Sequence, residues 1–131
     1  MGHRGYIFRA RPGYYDRTLE ERQHELRAPK VHHLCKTLLL ENKNCTHDGL
    51  ADVTDSKYVC VVVQYTARFS SDDLAAGLAA LSNKTASPKP KSYYAFQMAD
   101  EATAHAVSGY EYNGLTPFGM NKDVPVSHVV C

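Results

Sequence analysis

The chain has 131 residues, 44% hydrophobic and 22% charged, the size and balance of one soluble globular domain over 1–131. A net charge of +1 excludes a strong field over the whole molecule, and no apolar run nears the roughly 20 residues of a membrane-spanning helix. Met1-Gly2-His3-Arg4-Gly5 lacks the hydrophobic core of a secretory signal, so the expected location is the cytoplasm, with no membrane partner.

Residues 1–13 are expected to be flexible. Thr18-Leu19-Glu20-Glu21 has capping-box spacing and predicts a helix that stops before Pro29, on the surface because Leu19 and Leu26 are its few apolar positions. Val31 to Leu40 reads as a strand. Glu41 to Lys57, rich in Asn, Asp and Gly, reads as a long mobile loop. Tyr58 to Ala67 is β-branched and apolar on both faces, the pattern of a central strand covered on both sides.

Ser70 can cap a helix with acidic Asp72 and Asp73 in its first turn and Leu74, Leu78 and Leu81 at helical spacing. Lys84 to Lys91, with two prolines, connects to a short strand at Tyr93 to Met98. Asp100 can cap a helix through Val107, closed by Gly109. Tyr110 to Met120 is a Gly- and Asn-rich loop, and Val124 to Val130 a final strand. Without a regular strand–helix–strand alternation, this order predicts an α+β fold with a mixed sheet.

The first 36 residues hold eight Lys or Arg against four acidic residues, and Lys84, Lys89 and Lys91 form a smaller basic cluster. Such patches suit either a solvated surface or local contact with phosphates. The scattered Cys35, Cys45, Cys60 and Cys131 suit free thiols in a reducing compartment better than a disulfide framework.

Three features carry possible chemistry. Lys36 shares a strand face with Leu34, Leu38 and Leu40, so its ammonium must snorkel, find a partner or line a pocket that receives negative charge. A lysine acting as base or Schiff-base nucleophile needs a strongly depressed pKa, whereas a charged clamp needs none. The loop Gly109-Tyr110-Glu111-Tyr112-Asn113-Gly114-Leu115-Thr116-Pro117-Phe118-Gly119 can bring backbone N–H groups close to a ligand, or be a structural turn. The third is a metal set of His32, His33, Cys35, Cys45 and His47, whose spacing matches no standard zinc finger; the site is read as holding no metal.

The segments Val31-His32-His33-Leu34-Cys35-Lys36-Thr37-Leu38-Leu39-Leu40-Glu41-Asn42, Val63-Gln64-Tyr65-Thr66-Ala67-Arg68-Phe69 and Gly109-Tyr110 to Pro117-Phe118-Gly119 resemble the YbaK family. These are the aminoacyl-tRNA deacylase, or prolyl-tRNA synthetase-associated, editing domains; the resemblance is to the eukaryotic-type branch and runs from about Tyr14 to Val130. It implies a mixed, partly barrel-like sheet flanked by helices. It also implies hydrolysis, in trans, of the ester joining a wrong amino acid to the 3′-terminal adenosine of tRNA, with no cofactor. The implied catalytic residues are Lys36, the charged clamp at the tRNA end, and Thr37 beside it. Gly109, Gly114, Leu115, Thr116, Pro117, Phe118 and Gly119 are the implied substrate-binding residues, and the loop is expected to lie close to Lys36. The implied partners are the tRNA acceptor end and an aminoacyl-tRNA synthetase. Water is the implied nucleophile, helped by the substrate's ribose hydroxyl, and an activated ester needs no side-chain base if one oxyanion donor is worth about 10² to 10³ in rate.

Two departures stand out. Where the family has Gly-Gly before the pocket loop, this chain has Asn113-Gly114, and Asn tolerates the left-handed backbone such a turn needs. The family also continues past the Val-Pro-Val strand with an acidic residue, a Gly-rich loop, and further strand and helix. Here Ser127-His128 fall at the acidic position and the sequence stops at Cys131, so the C-terminal elements are expected to be missing. The alternative reading is a non-catalytic tRNA- or synthetase-binding module of the same fold.

Overall fold

The structure, a computed structural model, describes residues 5–7 and 9–128. Backbone contacts divide the chain into two compact units, Met1–Leu34 and Cys35–Cys131.

In the first unit a 3-10 turn, Tyr14–Asp16, precedes helix α1, Leu19–Glu25. The predicted capping box is formed: Thr18 Oγ1 accepts from Glu21 N–H, and the Glu21 carboxylate accepts from Thr18 N–H. Arg11 N–H donates to the Glu25 carboxylate, Arg17 pairs with the same carboxylate and donates to Pro12 O, and so the segment before α1 is tied to it. The Arg22 guanidinium lies 5.4 Å from the centroids of both Tyr14 and Tyr15, two cation–π contacts to rings that meet edge to face. Val31–His33 is a 3-10 turn rather than the start of a strand.

The second unit is α+β. Strands β1 (Cys35–Asn42), β2 (Tyr58–Gln64), β3 (Phe96–Met98) and β4 (Val126–His128) form one sheet in the order β3-β1-β2-β4. β1 pairs antiparallel with β2 and β3, and β2 pairs parallel with β4, so the sheet is mixed. It is open, with β3 and β4 at its edges, and the barrel-like closure implied by the resemblance is not formed among the described residues. The predicted strand through Val130 is seen to His128; Val129 to Cys131 lie outside the described residues.

Alternation along β1 and β2 sorts their side chains onto two apolar faces. Leu40, Val59, Val61 and Val63 pack with Leu74, Ala75 and Leu78 of helix α2 (Ser71–Ser82) and with Tyr94. Leu39 and Cys60 pack with Val107 of helix α3 (Glu101–Ser108) and with Val124. Thus β2 is covered on both sides, as its sequence predicts. Both helices carry their predicted N-caps: Ser70 Oγ accepts from Asp73 N–H, and Asp100 accepts from Thr103 N–H. The buried stripe of α2 runs through Leu74, Ala75, Leu78 and Ser82, which leaves Leu81 at its margin and 46% exposed.

The polar segment after β1 is anchored rather than loose. Asn42, still in β1 and fully buried, accepts from Asn44 N–H and Ala95 N–H through Oδ1. Thr54, within the 3-10 turn Val53–Asp55, and Ser56, just after it, are buried, and Asp52 caps the turn by accepting from Thr54 N–H. Tyr94 Oη donates to Thr54 O, fastening this segment to the α2 face. Among the described residues, no helix is long and apolar enough to cross a membrane.

Candidate functional site

Lys36 is the second residue of β1, not the middle of a longer strand, because His33 still belongs to the preceding turn. It lies opposite Val63 and shares the α2 face with Leu38 and Leu40, as alternation predicts for those two; Leu34 precedes the strand. The side chain is exposed, and its ammonium sits 5.9 Å from the centroid of the Tyr65 ring. That contact lets the apolar stem lie along the sheet end while the charge stays in water.

Thr37 lies opposite half-buried Val62 and shares a face with Leu39, which belongs to the other apolar cluster. On that face the candidate loop is built. Gly109 ends α3 in the left-handed conformation (φ +80°), with its N–H bonded to His105 O, as predicted for a helix stop. The chain then turns at Asn113, which adopts φ +62°; Asn does take the left-handed backbone that a glycine would supply in the family's pattern. Gly114 N–H closes this turn on Glu111 O.

Leu115 and Met120 descend from the loop onto the cluster formed by Leu39, Cys60, Val107 and Val124. Thr116 and Pro117 are half-buried, whereas Phe118 stands 77% exposed beside Gly119, itself at φ +67°. Tyr110 Oη donates to Phe118 O across the base of the loop, and His105 Nδ1 donates to Tyr110 O. Asn121 N–H and Lys122 N–H return to Ser108 O and Val107 O at the end of α3. Both ends of the loop are thereby fixed to one helix terminus.

Pro117, Gly119, Met120, Lys122, Asp123 and Val124 surround an open hollow of about 220 Å³. Lys122 and Asp123 are the charged residues of its lining. Lys122, Asp123 and the Tyr110 latch escape the sequence reading, since none belongs to the Gly-x-x-Pro pattern; the polar run Asn121-Lys122-Asp123 directly after it was the available signal.

Lys36 and the Gly114–Gly119 loop, expected close together, lie on opposite faces of β1. Leu115 and Met120 seat the loop on the face of Thr37 and Leu39, and Lys36 projects from the other face. The reason is the two-residue period of a strand: adjacent Lys36 and Thr37 cannot line one face. Of the metal set considered from sequence, Cys45 and His47 come together, and their companion is Asp55.

Burial pushes the Cys60 thiol up to about 11, so it is an inert core group rather than a nucleophile. A hydrogen bond from Lys43, opposed by partial burial and aided by the nearby charges of Lys43 and Lys57, holds the Glu41 carboxyl below its ordinary value. Comparison with protein-family models, curated proteins and solved structures gave no match.

Proposed function

We propose that the chain is an aminoacyl-tRNA deacylase that hydrolyses mischarged tRNA in trans. The observation that carries this reading is the Gly109–Gly119 loop, a latched, left-handed turn built on the face of Thr37 beside a hollow the size of an amino-acid side chain. The hollow receives the aminoacyl group, Thr37 and the loop backbone orient the ester, and water attacks its carbonyl carbon. The carbonyl π electrons move onto the oxygen, and collapse of that intermediate expels the ribose oxygen, which leaves with a proton. Lys36, exposed on the opposite face, clamps the phosphates of the acceptor end rather than the oxyanion. No resident cofactor is needed, and the tRNA acceptor end is the partner; a synthetase that supplies it is the second.

The opposite-face placement of Lys36 favours a second reading, a tRNA- or synthetase-binding module that keeps the fold without turnover. Release of amino acid from Ala-, Cys-, Ser- and Thr-charged tRNAs by wild type and Lys36→Ala separates the two. Turnover of at least one substrate, reduced in Lys36→Ala at tRNA concentrations below KM, supports the deacylase. Binding without turnover in either protein supports the module, and equal turnover in both removes Lys36 from the mechanism.

A further inference from the structure

Between β1 and β2 the chain folds back so that Cys45, His47 and Asp55 each bring one donor atom within 4.8 Å of the other two. Cys45 is buried, while the His47 and Asp55 side chains are 46% and 28% exposed, so the cluster joins a buried thiol to two ligands that solvent can reach. We propose that Cys45, His47 and Asp55 form a binding site for a divalent transition metal of the zinc type, with water as fourth ligand. The proposal is independent of the tRNA reading.

The donor set decides the class of metal. One thiolate, one imidazole nitrogen and one carboxylate suit borderline-soft zinc or cobalt and suit magnesium or calcium poorly. With a doubly charged ion, a thiolate and a carboxylate sum to neutrality, so the site carries no uncompensated charge. The carboxylate is also supported from outside: Tyr93 Oη donates to Asp55 Oδ1 at 2.6 Å, and Lys89 Nζ lies 3.4 Å from Oδ2. Such outer hydrogen bonds fix a ligand's orientation.

Protons now occupy the places a metal would take. Gly49 N–H donates to His47 Nδ1 at 2.9 Å, so in the neutral ring the proton sits on Nε2, 3.1 Å from Asp55 Oδ1. Cys45 Sγ donates to His47 O at 3.4 Å. On metal binding the thiol proton leaves to solvent. The ring proton passes from Nε2 to Nδ1, so that Nε2 gives its lone pair to the ion, and Gly49 N–H turns from the ring to water. The balance is about one proton released for each ion bound. The lost Gly49 hydrogen bond and the nearby Lys89 charge oppose binding, and the metal–thiolate bond must outweigh both.

The test is titration of chelator-stripped, reduced protein with Co²⁺ and then Zn²⁺. The expected result is one ion per chain, a near-ultraviolet thiolate-to-cobalt charge-transfer band, its displacement by Zn²⁺, and release of about one proton in weak buffer. Cys45→Ser should abolish the band, and His47→Ala should weaken binding at least about 100-fold, beyond the loss typical of outer-shell changes. Cys35→Ser should change neither. Because His47 is half exposed, His47→Ala should keep the native near-ultraviolet circular dichroism, which separates loss of ligand from loss of fold. No uptake by wild type at equimolar metal, a band that survives Cys45→Ser, or unchanged affinity in both His47→Ala and Asp55→Asn would overturn the proposal.

Discussion

Lys36 and Thr37, neighbours in β1, project to opposite faces of the sheet: Lys36 to the side of α2, Thr37 to the side of α3 and the Gly109–Gly119 loop. Their roles in the proposed reaction must therefore differ. A phosphate-clamping Lys36 predicts that Lys36→Ala raises KM about tenfold and lowers the salt dependence of tRNA binding by about one ion, with kcat retained. Thr37→Val should instead lower kcat with little change in KM. Steady-state deacylation at several salt concentrations checks both, and a kcat loss confined to Lys36→Ala would reverse the assignment.

The loop depends on two left-handed residues, Asn113 and Gly119. Asn113→Gly should be tolerated, since glycine adopts φ +62° without steric cost, whereas Asn113→Val should cost about 1–2 kcal/mol. Gly119→Ala should cost a similar amount, because φ is +67° and the new methyl would sit 3.4 Å from Tyr110 Oη, at the latch. Denaturant unfolding measures the stability change, and limited proteolysis within 110–120 reports the loop itself.

Glu41 gives the sheet a pH dependence of known sign. Its carboxyl is held below the ordinary value of 4.5, so the unfolded chain binds its proton more readily. The stabilisation is fully present above pH 4.5 and is lost as pH falls through the lower, folded value. Unfolding midpoints at successive pH values from neutral downward should fall less steeply in Glu41→Gln than in wild type. Parallel curves would show that Lys43 and Lys57 do not stabilise the charged form.

The thiols should differ sharply in reactivity. Cys60 is fully buried with its pKa pushed up to about 11, and Cys35 is exposed. Brief treatment with a thiol alkylator at neutral pH, followed by peptide mass mapping, should label Cys35 and leave Cys60 intact until denaturant is added. Labelling of both at one rate would mean that the core around Leu39 and Val107 opens readily.

Local chemistry was legible in the amino-acid sequence. The Thr18–Glu21 capping box, the Ser70 and Asp100 caps and the Gly109 stop each satisfy backbone groups within a few residues of themselves, and the left-handed Asn113 belongs to a turn that Gly114 N–H closes on Glu111 O. The two-sided apolar run of β2 likewise announced a central strand. Tertiary structure alone decided the strand order β3-β1-β2-β4, the anchoring of Asn42 to Ala95, and the meeting of Cys45 and His47 with Asp55. It also decided which face received the loop, because Leu115 and Met120 could have covered either side of a sheet that is apolar on both. Caps and turns are fixed by near neighbours, whereas faces and registers are fixed by which distant apolar groups leave water together.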